Sequence, residues 1–440
     1  MPQQPIPVWE SRRSGLAGGQ WGERVTVVDG LRERVERELL GDILPFWLNY
    51  TIDEEYGGFR GQIANDLTVD PLAHKGLILN ARILWTFAKA YRFYKDEVYL
   101  QTARRAFEYL HKYFWDEKYG GVYWMVDYRG RPVDTKKRIY GQAFTVYALA
   151  EYAAAIGGKE PLQKSIDLYR LIEEFSGDSR NGGYFETYER DWKLAADQRL
   201  SEADMDEKKS MNTHLHLLEG YANLLKIWRD RDLRERLRAL SRIFLDHIID
   251  PETHHLRMFF DEEWRDRSKW LSFGHDIEAS WLICEAAEIL ADESILDKTR
   301  KAAVQMAQAV YSQALDTDGG LMYEGKGTDI TDTSKQWWPQ AEAVVGFLNG
   351  YELSGNEHFL SASEKSWDFI EKYVIDHARG EWYWEVSRDG TPTDEKLKVD
   401  AWKCPYHNSR TCFEVMERLD RLAEKHSASG AEKTNERSRI

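Results

Sequence analysis

Tyr56-Gly57-Gly58-Phe59, Tyr119-Gly120-Gly121-Val122-Tyr123-Trp124 and Asn181-Gly182-Gly183-Tyr184-Phe185 read as one signal repeated, two glycines followed by bulky aromatic or aliphatic residues. It returns as Asp318-Gly319-Gly320-Leu321-Met322-Tyr323 and, weakened, as Arg379-Gly380-Glu381-Trp382-Tyr383-Trp384. A copy without glycine, Thr253-His254-His255-Leu256-Arg257-Met258-Phe259-Phe260, fills the gap. With His255 as the first position of that copy, successive signals stand about 61 to 73 residues apart, the mark of a large repeated unit. Six copies of one unit follow.

Between the signals, Leu77 to Tyr94, Ile139 to Tyr152, Met211 to Ile227, Ile277 to Leu290 and Pro339 to Leu353 carry apolar residues at helical spacing. Most are followed by a second helical stretch, as in Glu97 to Phe114, Glu160 to Phe175, Leu233 to Ile249 and Ile295 to Tyr311. A unit is therefore a helix pair with a glycine turn and a short aromatic hairpin. An open α-solenoid of such pairs would leave two apolar end faces needing caps. The expected fold is all-α, an (α/α)6 barrel or six-hairpin toroid with short β-hairpins at one end.

The chain has 440 residues, 42% of them hydrophobic, enough for one large core. The expected organisation is a disordered N-terminal extension over residues 1–22, the barrel over 23–424 and a disordered tail over 425–440. A net charge of -15 argues against nucleic acid or an anionic membrane surface as partner. No apolar run is long enough to span a bilayer, and the polar, Pro-containing start has no signal-peptide core. Three cysteines, Cys284, Cys404 and Cys412, make no disulfide framework, so a cytoplasmic location is expected. A monomer is expected, with a dimer as the alternative.

Seventeen tryptophans and 23 tyrosines suit a carbohydrate cleft, because aromatic faces stack on the C–H faces of pyranose rings. For any single aromatic, packing between helices is the blander reading. More informative are Arg82, Tyr140, Asn212, His275, Trp338 and His407, each falling near the start of its unit's next helix. In a closed ring such positions share one end and can converge on the axis. In Asn212-Thr213-His214-Leu215-His216-Leu217-Leu218-Glu219, residues two apart on a helix diverge, so only one histidine can face the cavity and a metal pair is not formed. His216 shares a face with Asn212 and Glu219. In Ser272-Phe273-Gly274-His275-Asp276-Ile277-Glu278, the glutamate three residues on is spaced to accept the imidazole N–H. His407 follows the break at Pro405, poised at a helix start.

Glycoside hydrolysis needs two carboxyl groups flanking the bond, and Glu219 and Glu278 are each spaced to serve a histidine instead. No Gly-x-Ser-x-Gly elbow and no phosphate-cradling glycine loop is present. Histidine suits proton transfer at the carbon α to a carbonyl, and the open aldehyde form of a sugar makes its C2 hydrogen acidic through an enediolate that Arg82 can stabilise. Proton removal and return at C2 is the chemistry expected, with a pH profile set by groups near neutrality.

Leu79-Asn80-Ala81-Arg82-Ile83-Leu84-Trp85, Gly121 to Met125, Ser210 to Glu219, Ser272 to Trp281, Trp337-Trp338-Pro339-Gln340-Ala341-Glu342 and Trp402 to Asn408 resemble the cellobiose 2-epimerases, within the N-acylglucosamine 2-epimerase superfamily. The resemblance runs from about Val28 to Leu422. It implies an (α/α)6 barrel that reversibly epimerises the reducing-end sugar of β-1,4-linked disaccharides (cellobiose, lactose, mannobiose; epilactose as the product of lactose) at C2. The route is ring opening and a cis-enediol, without metal or other cofactor. His407 and His275 would be the acid/base pair, with Glu278 orienting His275. His216 would assist ring opening, Asn212, Arg82 and Tyr140 would hold the O1/O2 region, and Trp338 and Trp402 would stack on the sugar rings. Cys404 and the N-terminal extension depart from the pattern. A monosaccharide 2-epimerase or aldose–ketose isomerase of the same superfamily is the alternative, and a non-catalytic glycan-binding protein the more distant one.

Overall fold

Each glycine signal closes a turn whose chemistry starts three or four residues earlier, at an aspartate. In the first unit, Asp53 Oδ1 accepts the N–H groups of Glu55 and Tyr56, and its backbone pairs with Gly57 and Gly58. Both glycines have left-handed φ, +78° and +64°, where a side chain is strained, and a Cβ on Gly58 would stand 2.6 Å from the Tyr109 ring. The buried Lys75 then binds Asp53 Oδ2 and the Gly57 carbonyl, both at 2.7 Å. The same pair recurs as Lys137–Asp116, Lys209–Asp178 and Lys398–Asp376; at Gly319 the turn's aspartate is Asp316, 3.4 Å from Lys335, and Lys335 binds the half-buried Asp318 more closely, at 2.7 Å. In the glycine-free copy the structure shifts the register by one residue. His254, at φ +62°, donates to the Asp250 carbonyl at 2.9 Å, so it and not His255 takes the first glycine's place.

The computed structural model describes residues 30–393 and 395–437, with side chains through 425. The expected disorder of residues 1–22 lies outside the described residues, as does the end of the expected tail; helix continues through Arg437. Twelve helices are described. Six form the inner ring, the first five buried nearly all round and the sixth largely buried through Leu419: α2 (Leu77–Tyr94), α4 (Ile139–Ile156), α6 (Met211–Ile227), α8 (Phe273–Leu290), α10 (Trp337–Ser354) and α12 (Tyr406–Arg437). The outer ring comprises α1 (residues 30–50), α3 (Glu97–Tyr109), α5 (Lys159–Phe175), α7 (Arg231–Ile243), α9 (Glu293–Gln313) and α11 (Glu357–Phe369). An outer helix buries one stripe only: α7 turns Leu233, Leu237 and Leu240 inward and its arginines outward. No described helix is long and apolar enough to cross a membrane.

The ring is closed. α12 packs against both α10 and α2, and α1 completes the sixth pair. Across that seam Arg32 binds Asp420 at 2.6 Å, Trp47 Nε1 donates to Glu381 Oε2 at 2.7 Å and Trp382 Nε1 donates to Glu38 Oε1 at 2.8 Å. The short strands also run around the ring instead of closing each unit on itself. The two residues before an inner helix pair with the strand of the next unit: Lys75–Gly76 with Met125–Val126, Lys137–Arg138 with Thr187–Tyr188, and so on to the Ile63–Val399 bridge. That stitching holds all six inner-helix N-termini at one end.

Candidate active site

A cleft of about 320 Å³ opens where the inner helices begin. Arg82 from α2, Tyr140 from α4, Asn212 and His216 from α6, His275 and Glu278 from α8, Trp338 from α10, His407 from α12 and Trp402 before it all line it. The fourth residue of several inner helices is used for a different purpose. Gln142, His214 and Gln340 clamp the backbone behind the glycine turns, His214 through Nε2 to the Tyr184 N–H at 3.0 Å and Nδ1 to the Ser210 carbonyl at 2.7 Å. His214 is therefore structural, and His216 is the histidine that faces the cleft.

Each of the three cleft histidines has Nδ1 engaged. His216 Nδ1 meets Glu219 Oε2 at 2.9 Å, His407 Nδ1 meets Glu342 Oε1 at 2.7 Å and His275 Nδ1 meets Ser272 Oγ at 2.7 Å. The carboxylates require Nδ1–H on His216 and His407, which leaves their Nε2 as acceptors. Ser272 can donate or accept, so His275 can carry its proton on Nε2. The Trp338 ring lies 4.7 Å from that of His275 and 5.6 Å from that of His407, in contact with both.

Glu278 does not orient His275. Its Oε1 accepts from Arg410 Nη2 at 2.5 Å and lies 4.0 Å from His407 Nδ1. The i,i+3 spacing holds for His216–Glu219, but at α8 the N-terminal Ser272 reaches the ring first and Glu278 turns to the cation on the axis. Arg410 also donates to Glu342 Oε1 at 2.6 Å and to Glu219, whose other partner at that oxygen is the Tyr406 hydroxyl. Its guanidinium rests on the rings of Tyr406, 4.3 Å away, and Trp281, 4.8 Å away. Glu278, Glu342 and His407 are close enough together to hold a metal ion, yet the guanidinium already stands at hydrogen-bond distance from both carboxylates.

Burial dominates the protonation states. It pushes His275 down to about 3, with His216 adding to the effect, and His407 well below its ordinary value, with Arg82 and Arg410 adding. It lowers His216 too, against the pull of Glu219. Glu278 is pushed up to about 8 by burial and then by Glu342. Burial would also raise Glu219, but Arg410 and His216 outweigh it and bring the carboxyl to about 2. On the far wall Arg82 Nη2 donates to the Tyr140 hydroxyl at 3.0 Å, while Arg82 Nε and Asn212 Oδ1 have no partner among the described residues. Buried polar atoms of this kind, facing a cleft, suit a polyhydroxylated ligand.

Residues 57–410 match the sequence profile of the N-acylglucosamine 2-epimerase (GlcNAc 2-epimerase) family. The chain belongs to that family. A cellobiose 2-epimerase of Bacteroides fragilis is 43% identical over 387 residues, covering 88% of this chain and 98% of that protein. One of Dictyoglomus turgidum is 38% identical, covering 88% and 99%. The solved structure of a cellobiose 2-epimerase from Bacillus thermoamylovorans is similar with a TM-score of 0.85 at 40% identity, covering 89% of this chain and all of that one.

Within this N-acylglucosamine 2-epimerase family member, the structure adds residues that the sequence reading passed over. Arg410 stands three residues after His407, the same offset that links His216 to Glu219, and that offset was its signal. Gln198, Arg199, Leu200, Ser201, Asp204 and Met205 form one wall of the cleft. They belong to the longest inter-turn segment, and the wide third spacing was the trace of them. This wall is fastened by Arg138 to the Leu200 carbonyl at 2.5 Å and by Gln198 to the Thr187 carbonyl at 3.1 Å.

Proposed function

We propose that this isomerase epimerises the reducing-end sugar of β-1,4-linked disaccharides such as cellobiose, lactose and mannobiose at C2. Two imidazoles packed against one indole carry the reading. A sugar ring stacked on Trp338 would have His407 and His275 in reach of its C2 region. His407, with Nδ1–H held by Glu342, offers a lone pair at Nε2 and acts as the base. His275 returns a proton to C2 from Nε2 as an imidazolium formed with a solvent proton, its Nδ1–H donating to Ser272 Oγ, while His407 releases the proton it took to solvent. Burial keeps His407 neutral and ready to accept a proton, and makes a protonated His275 a strong acid. His216, Asn212, Arg82 and Tyr140 attend ring opening and the O1/O2 oxygens, where the Arg82 cation stabilises the enediolate. Trp402, 5.9 Å from the Tyr140 ring, supports stacking beyond the reacting sugar. The cleft volume falls within the roughly 300–1,000 Å³ of ligand pockets. The whole residue set comes from one chain, which suits a monomer, and three unpaired buried cysteines suit a reducing cytoplasm.

The test is a proton NMR time course with cellobiose in D2O. The expected result is a mannose-type reducing end carrying deuterium at C2. Free glucose would mean hydrolysis. Exchange only with monosaccharides would move the substrate to glucose, mannose or N-acetylglucosamine.

A further inference from the structure

Arg410 touches more of the site's charged side chains than any histidine does, and the chemistry above does not use it. It is buried on the barrel axis and binds one carboxylate from each of three inner helices: Glu219 of α6, Glu278 of α8 and Glu342 of α10. Two of those carboxylates each hold the Nδ1 of a cleft histidine, His216 and His407. A guanidinium is the one side chain whose fixed fork can serve three acceptors at once. Its plane is set by Tyr406 and Trp281, and Trp281 Nε1 donates to the second oxygen of Glu342 at 3.0 Å. Every link is short and directional, so rotating Arg410 would release both histidines together.

Resting on the epimerase reading, we propose that Arg410 is a positioning residue that holds Glu219, Glu278 and Glu342 on one guanidinium, and through them fixes the ring orientation and basicity of His216 and His407. It does not touch the sugar; it decides how the groups that do are aimed. Three carboxylates against one cation leave this cluster able to carry net negative charge, which balances an imidazolium formed during turnover. The charged and titratable groups facing it are Arg82 from α2, Tyr140 and Tyr147 from α4, His216 and Glu219 from α6, His275 and Glu278 from α8, Glu342 from α10, and Tyr406 and His407 on α12 itself.

The test compares Arg410→Lys and Arg410→Met with the parent, using cellobiose and following C2 deuterium exchange across pH. Lysine keeps the charge but not the fork, so kcat should fall on the order of 100-fold with KM within about threefold, the usual effect of an orienting partner. In Arg410→Met the acid limb of kcat/KM should move up by about one pH unit or more, because a cation that opposes protonation of His407 is gone. A folded Arg410→Met with the parent's pH profile, or an Arg410→Lys with the parent's kcat, would overturn the assignment. So would an Arg410→Lys chain that does not fold, because the residue would then belong to the fold itself. A parent that exchanges no C2 hydrogen defeats the epimerase reading instead, before any variant is compared.

Discussion

Glu342→Gln separates charge from shape at the base. Glu342 accepts three buried N–H groups: His407 Nδ1 at 2.7 Å and Arg410 Nη2 at 2.6 Å on Oε1, and Trp281 Nε1 at 3.0 Å on Oε2. An amide of the same outline has one oxygen. If that oxygen faces His407 and Arg410, the NH2 opposes the Trp281 N–H; if it faces Trp281, the NH2 opposes the donors of both His407 and Arg410. Either way a buried charge-assisted bond is lost, worth about 1.5–3 kcal/mol. At about 1.4 kcal/mol per decade, kcat should fall about 10- to 150-fold. The loss should sit in kcat, because the bond strengthens when His407 takes a proton and Glu342 does not reach the sugar. Initial rates with cellobiose, followed by deuterium incorporation at C2, measure it, with circular dichroism to establish that the chain is folded. A kcat within threefold of the parent, or a change confined to KM, would refute the idea that Glu342 sets the tautomer and basicity of His407.

Because burial holds His275 down to about 3 and His407 well below its ordinary value, the acid limb of kcat/KM should lie well below the ordinary imidazole range, not near neutrality as the sequence suggested; a limb between about pH 6 and 7 would mean that the cleft does not desolvate its histidines. Ser272→Ala should lower kcat about two- to tenfold, the value of one neutral hydrogen bond, with KM little changed; parental kcat would remove Ser272 as the orienter of His275. Glu38, at the ring seam, is pushed up to about 9 by burial first and by Asp42 next. The stability it contributes is thus fully present below the ordinary carboxylate range and lost as pH rises through about 9. Glu38→Gln should therefore match the parent's Tm near about pH 4 and exceed it by a margin that grows up to about pH 9, and equal Tm at both would show that Glu38 carries no such burden.

Equivalence around a closed ring explains both what could be read from residues alone and what could not. The glycine turns are legible because left-handed backbone admits few residues, and α2 and α6 run from Leu77 to Tyr94 and from Met211 to Ile227 as their periodicity predicts. Once six units are in register, nine side chains from scattered positions must meet at one cleft, since inner-helix starts share one end. The failures lie where a unit departs from the repeat. Helix α1 precedes the first glycine turn, and its helical period is broken by a π turn at Leu39–Ile43, so no unit claims it. His254 takes the left-handed position that glycine occupies elsewhere, which hides the register by one residue. Glu278 has the spacing of Glu219, but spacing along one helix says nothing of a cation arriving from another, and Arg410 crosses the axis to bind it. The same offset that misleads at Glu278 identifies Arg410, because three residues after each cleft histidine the inner helix turns its side chain to the axis.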